Sequence, residues 1–101
     1  MSQLVRIGAL ADLPAPNHAK EISANGQMFC IANMDGEICA MDNVCPHRGG
    51  PLGEGMIEDG KLICPWHAWE FDPRSGKCHT SGDCVKTYPV VVQGEDVFVD
   101  A

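Results

Sequence analysis

Gln27-Met28-Phe29-Cys30-Ile31-Ala32-Asn33-Met34-Asp35-Gly36-Glu37-Ile38-Cys39-Ala40-Met41 is the stretch that decides the fold class. Two largely apolar runs flank an Asp-Gly pair, a dipeptide suited to the positive φ angles of a tight hairpin turn. The reading predicts strands over Gln27–Asn33 and Glu37–Met41, joined through a turn at Asp35-Gly36. The same punctuation recurs outward in both directions. Eleven glycines and seven prolines leave segments too short for most helices. Further strands are predicted over Leu4–Ile7, His18–Ser23, Met56–Glu58, Lys61–Ile63, Ala68–Phe71, Val85–Gln93 and Asp96–Val99, with turns at Asp59-Gly60 and Gly94-Glu95. One helical turn is expected over Ala9–Leu13, cut short by Asp12 and the prolines that follow. Short strands with turn signals every eight to twelve residues point to an all-β chain, a small sandwich or barrel.

The chain has 101 residues, which suggests a single domain over residues 1–101 with one modest core. Hydrophobic residues make up 45% and charged residues 21%, a globular composition too apolar for a disordered tail. Fourteen acidic against seven basic side chains give a net charge of −7. Phosphate binding needs a basic face, so no nucleic-acid partner is expected. A protein partner with a basic docking patch fits better. The N-terminal segment does not read as a signal peptide, and no run of apolar residues is long enough to span a membrane. A cytoplasmic location away from membranes is the expectation.

Six cysteines, Cys30, Cys39, Cys45, Cys64, Cys78 and Cys84, point in that compartment to metal rather than to a disulfide framework. Two loops combine Cys, Pro and His: Cys45-Pro46-His47 and Cys64-Pro65-Trp66-His67. Thiolate and imidazole suit zinc, copper or iron–sulfur chemistry, not calcium or magnesium. Two ligands separated by one residue are cramped on a single tetrahedral ion but are able to straddle two adjacent ions, so the pattern suggests a binuclear site. A structural zinc knuckle uses the same ligand types, although its paired cysteines and histidines are usually spaced differently.

On Cys45, His47, Cys64 and His67, and on Arg48-Gly49-Gly50-Pro51-Leu52 after the first loop, the chain resembles the Rieske [2Fe–2S] family, whose centres carry two histidines in place of two cysteines on one iron. The resemblance implies a Rieske-type β-sandwich or barrel with a cluster-binding subdomain of two loops, and one [2Fe–2S] cluster. Cys45 and Cys64 are implied as ligands of the inner iron, His47 and His67 of the outer. Two ferric ions, two sulfides, two thiolates and two neutral imidazoles sum to zero charge. A four-thiolate cluster starts more negative and resists an added electron more strongly, so histidine raises the potential.

High-potential respiratory members carry an extra cysteine in each loop and hydroxyl donors to the cluster. Here Gly50 and Trp66 stand at the cysteine positions, and Trp69 and Phe71 replace the hydroxyl donors. The expectation is therefore the low end of the Rieske range of roughly −150 to +300 mV, the pattern of the Rieske-type ferredoxins. The implied function is that of a soluble one-electron carrier, not itself an enzyme. It would pass electrons from a flavin-dependent ferredoxin reductase to a terminal, aromatic-ring-hydroxylating oxygenase. A Rieske-like small subunit of an assimilatory nitrite reductase is the alternative. Transient encounters with such partners suit a monomer.

Other residues read as follows. Glu54, Glu58, Asp59, Glu70 and Asp72 flank the loops as an expected acidic docking rim. Pro46 and Pro65 stiffen the loops beside the implied ligands, and Gly49 and Gly50 allow close backbone approach. Trp66 and Trp69 are expected in the core or as a hydrophobic lid. Arg48 is a solvated loop charge and a candidate stabiliser of the reduced cluster. Cys30 and Cys39 are core hydrophobes, Cys78 and Cys84 free thiols, and His18 and His79 surface residues. Cys78 and Cys84 stand where the family usually carries a proline-containing loop that covers the cluster.

Overall fold

A computed structural model of the chain describes residues 3–46, 49–66, 68–80 and 82–101. Ten strands form: β1 (Leu4–Ala9), β2 (His18–Ala24), β3 (Gln27–Met34), β4 (Glu37–Asp42), β5 (Met56–Glu58), β6 (Lys61–Ile63), β7 (Glu70–Phe71), β8 (Thr87–Tyr88), β9 (Val90–Gln93) and β10 (Asp96–Asp100). The hairpins are set by their turns. Ala24 faces Gln27, Met34 faces Glu37 and Glu58 faces Lys61, so two residues make each connection. Their first members, Asn25, Asp35 and Asp59, sit at φ of 52°, 55° and 51°, the left-handed region that Asn and Asp tolerate best after glycine.

The strands make two antiparallel sheets, of order β1-β10-β9 and β7-β6-β5-β2-β3-β4-β8. β3 is buried from Phe29 to Met34 because both of its faces are covered. On one side Phe29, Ile31, Ala40 and Tyr88 pack with Ile7, Val97 and Val99 of the three-stranded sheet. On the other, Cys30 and Met41 pack with Leu52, Leu62, Phe71 and Val85 from the segment between β4 and β8. Each large apolar side chain removed from water in this way contributes about 1.5–3 kcal/mol before chain entropy is counted. The β5-β6-β7 ladder joins β2 through a single pair, His18 with Met56. Residues 43–86 thus form a lobe on the main sheet, and its two ends are neighbours: the Asp42 N–H donates to the Lys86 carbonyl at 2.9 Å. No helix among the described residues is long and apolar enough to cross a membrane.

Three sequence expectations are corrected. The predicted strand Ala68–Phe71 shrinks to Glu70–Phe71, because Ala68 takes a φ of 56° to close the loop after Cys64. Val85–Gln93 is two strands, Thr87–Tyr88 paired with β4 and Val90–Gln93 paired with β10. Pro89, which has no N–H to donate, lies where the chain leaves one sheet for the other. The expected helical turn is a 3-10 turn over Leu10–Asp12. It ends at Asp12 as expected, and the Asp12 carboxylate also caps its start, accepting from the Ala9 N–H at 2.9 Å.

Candidate metal centre

The first loop is a tight knob on a tethered base. Val44 bridges Pro51, the Cys45 N–H donates to the Gly50 carbonyl at 2.9 Å, and the Gly49 N–H returns to the Cys45 carbonyl at 2.8 Å. These bonds leave Cys45 buried at the base and Pro46 exposed above it. Beneath it, the Asn43 side-chain carbonyl accepts from the buried Gly53 N–H at 2.7 Å, and the Asn43 amide donates to Glu21 on β2. Sequence reasoning missed this anchor. Its only local signal was an Asn next to a loop, a residue that often bonds nearby backbone.

The second loop is closed by the Cys64 N–H, which donates to the Trp69 carbonyl at 2.8 Å. Cys64 is buried, and the Trp66 N–H points at its sulfur at 3.4 Å. His47 and Arg48 of the first loop and His67 of the second lie outside the described residues, so of the four expected ligands the structure locates Cys45 and Cys64.

The two loops meet at Gly50. A Cβ there would lie 3.0 Å from the Cys64 sulfur and 3.0 Å from Cγ of Trp66. The contact accounts for the absence of a side chain at position 50. Burial pushes the Cys64 thiol above its usual value, the Trp66 N–H opposes this, and the neighbouring sulfurs of Cys45 and Cys78 add to the rise. Two buried thiols side by side, stiffened by prolines and approached by backbone N–H, suit an iron–sulfur group. Such a group needs soft, preorganised anionic sulfur and a dry surround. The described residues therefore fit the cofactor that the sequence implies.

The exterior of this end is apolar and acidic. Val44, Met56 and Trp66 are 62%, 61% and 47% exposed. A hollow of about 200 Å³ beside Cys64 is lined by Glu54, Gly55, Met56, Ile63 and Pro65. Glu58, Asp59 and Glu70 border a second hollow with Ile63, where Lys61 pairs with Glu70 at 3.2 Å. Asp72, the fifth residue of the expected rim, turns elsewhere. It accepts from the Arg74 N–H and lies near Cys39 and Glu37. The expected tryptophan pair divides: Trp69 packs against the core and Trp66 is half exposed.

None of the six cysteines is paired in a disulfide, and only Cys84 is exposed. Cys30 is pushed up to about 12 by burial, with Glu21 and Cys39 adding to the effect; it is packed as a hydrophobe. His18 and His79 are exposed, as expected.

Residues 3–90 match the family model described as "Rieske [2Fe-2S] domain". The chain is 36% identical over 88 residues to a biphenyl dioxygenase ferredoxin subunit of Pseudomonas sp. (strain KKS102), covering 84% of this chain and 81% of that one. It is 32% identical over 81 residues to the ferredoxin component of a naphthalene 1,2-dioxygenase system of Pseudomonas aeruginosa, covering 78% of each. Its fold superposes with a TM-score of 0.84 on the ferredoxin of carbazole 1,9a-dioxygenase from Nocardioides aromaticivorans IC177, at 26% identity over 96% of both chains. By that match and the paired thiols at its loop bases, the chain belongs to the Rieske [2Fe–2S] domain family, and one [2Fe–2S] cluster is its cofactor.

Proposed function

We propose that this chain is the ferredoxin component of a ring-hydroxylating dioxygenase system, carrying single electrons to a terminal oxygenase. The observation that carries the reading is the buried Cys45–Cys64 pair at the base of two loops whose outer surface is apolar and acidic. The relatives named above, which are ferredoxin components of biphenyl, naphthalene and carbazole dioxygenase systems, support it.

Cys45 and Cys64 would hold one iron of the cluster, and His47 and His67 the other. When bound, the cluster supplies storage of one electron. The chain's own side chains do the rest. The lobe formed by residues 43–86 buries both thiols and excludes water from their side of the site. Gly50 lets the two loops close on each other, and the Trp66 N–H favours negative charge on Cys64. Phe71 and Trp69, which carry no hydroxyl, leave the cluster without two donors that would raise its potential. The potential therefore falls near the −150 mV end of the Rieske range, roughly.

Val44, Met56 and Trp66 form the apolar centre of a docking face, and Glu54, Glu58 and Asp59 its acidic edge. A flavin-dependent ferredoxin reductase supplies the electron on this face, and the oxygenase removes it. The chain acts as a monomeric single domain over residues 1–101, in the cytoplasm.

Purified protein tests the reading. Two irons and two acid-labile sulfides per chain are expected, with bleaching by a reduced flavin reductase and recovery on adding oxidised oxygenase. A colourless protein, or one reduced but never reoxidised by any such oxygenase, overturns it.

A further inference from the structure

The sequence of β7 and of the turn after it brings a third sulfur to the centre. Leu62 on β6 faces Phe71 on β7, and Phe71 in turn bridges Cys78. Residues directly opposite in antiparallel pairs put their side chains on the same face. Leu62, Phe71 and Cys78 therefore form one row, and all three are fully buried. Cys64 lies two residues beyond Leu62, where strand alternation returns a side chain to that face. Cys45, Cys64 and Cys78 accordingly belong to one contiguous buried cluster.

The backbone of Cys78 is fully engaged. Its N–H donates to the Asp83 carbonyl at 2.7 Å, and its carbonyl accepts from the Gly82 N–H at 2.9 Å. These bonds pin the turn that stands where the family's covering loop would lie. The apolar members of the cluster, Leu52, Leu62, Phe71 and Val85, offer the thiol no side-chain acceptor. The acceptors in the cluster are sulfurs.

We infer that Cys78 is a positioning residue for the electron, a buried S–H donor behind the Cys45–Cys64 pair that stabilises the reduced cluster without ligating it. The inference rests on the proposed holding of a cluster by that pair. An S–H is a weak donor, but a hydrogen bond to cluster sulfur favours the more negative, reduced state and raises the potential. This device occupies a position distinct from the missing hydroxyls at Trp69 and Phe71.

The test compares the iron-loaded wild-type protein with C78A, C78V and C78S. C78V keeps about the volume and lacks a donor, and C78S keeps a donor. The readouts are the reduction potential from an optical redox titration, iron content and melting temperature. Both donor-free variants should retain iron and lose threefold or more in the equilibrium constant for reduction, a fall of about 28 mV at 59 mV per tenfold for one electron. C78S should match or exceed wild type. Unchanged potentials in C78A and C78V overturn the inference and reduce Cys78 to a packing residue, whatever the melting temperatures do. Loss of iron from C78V overturns it too, because Cys78 would then be needed to hold the cluster. If C78A fails to fold, C78V against C78S decides. A wild-type protein without iron would instead overturn the proposed function, which keeps the two failures distinct.

Discussion

Gly50 and Cys64 touch across the two loops, so that a single methyl group at position 50 would meet the Cys64 sulfur at 3.0 Å. The same methyl would meet the half-exposed Trp66 ring at 3.0 Å, and the buried Cys64 is held in place by its N–H bond to the Trp69 carbonyl. Gly50→Ala should therefore destabilise the protein by about 1–3 kcal/mol, as overpacking does elsewhere, and lower its iron content. Thermal melting and iron analysis of the purified variant check this. Wild-type values of both would show that the loops separate without cost.

The four proposed ligands should behave alike and unlike the other cysteines. Cys45→Ser, Cys64→Ser, His47→Ala and His67→Ala should each remove the intact cluster, because an open iron site in a loop invites loss of metal. Cys39→Ala, on β4 and outside the loops, should keep the visible spectrum of the wild type. Absorbance and iron content per chain decide. A coloured His67→Ala protein with full iron would refute the assignment.

Asn43 should prove to be a structural anchor of the first loop. Asn43→Ala strips the acceptor from the buried Gly53 N–H, and an unsatisfied buried donor costs about 1–3 kcal/mol. A lower denaturant midpoint with faster amide exchange at Gly53 is the expected result. Unaltered exchange there would mean that water replaces the side chain.

Most of the all-β fold was legible in local turn chemistry. Asp35-Gly36 and Asp59-Gly60 specify two-residue hairpins whatever surrounds them, and both appear with the paired register that such turns impose. The two cysteine loops were equally legible, since ligand type and spacing sit within a few residues. The division at Pro89 was not, because the residues on both sides of the proline are strand formers and their two different partner strands tell the halves apart. Gly50 read as a glycine that allows close backbone approach, while its contact with the Cys64 sulfur depends on a loop fourteen residues further along. Cys78 reaches the centre only through Phe71 and Leu62, a relation that no short motif records.

Partner turnover should fall as salt rises. Glu54, Glu58 and Asp59 make no ion pair among the described residues, so their field is open to a basic partner and is screened within about 10 Å at 0.1 M salt. Replacing Glu58 and Asp59 together with lysine should slow electron delivery to the oxygenase and reverse the salt trend, leaving the visible spectrum unaltered. Stopped-flow reoxidation across an ionic-strength series measures it, and identical salt slopes for the variant and wild type would dismiss the acidic edge.

Cys30 predicts alkaline sensitivity. Its thiol ionises near its ordinary value of 9.0 in the unfolded chain but is pushed to about 12 in the fold. Between those values the unfolded state binds fewer protons, so stability falls as pH rises, by up to about 1.4 kcal/mol per pH unit from this group. Denaturant titrations from pH 8 to 11 should show this slope in the wild type and a shallower one in Cys30→Ala. Equal slopes would locate the alkaline effect in another group.

The bond from Asp42 to Lys86 makes the lobe of residues 43–86 a cassette whose two ends meet. Its entry and exit are adjacent strands of one ladder, so the insert is free to lengthen, shorten or be exchanged without re-registering the sheet below. A shared platform of this kind lets docking surface and redox tuning vary independently of the scaffold that keeps the chain folded.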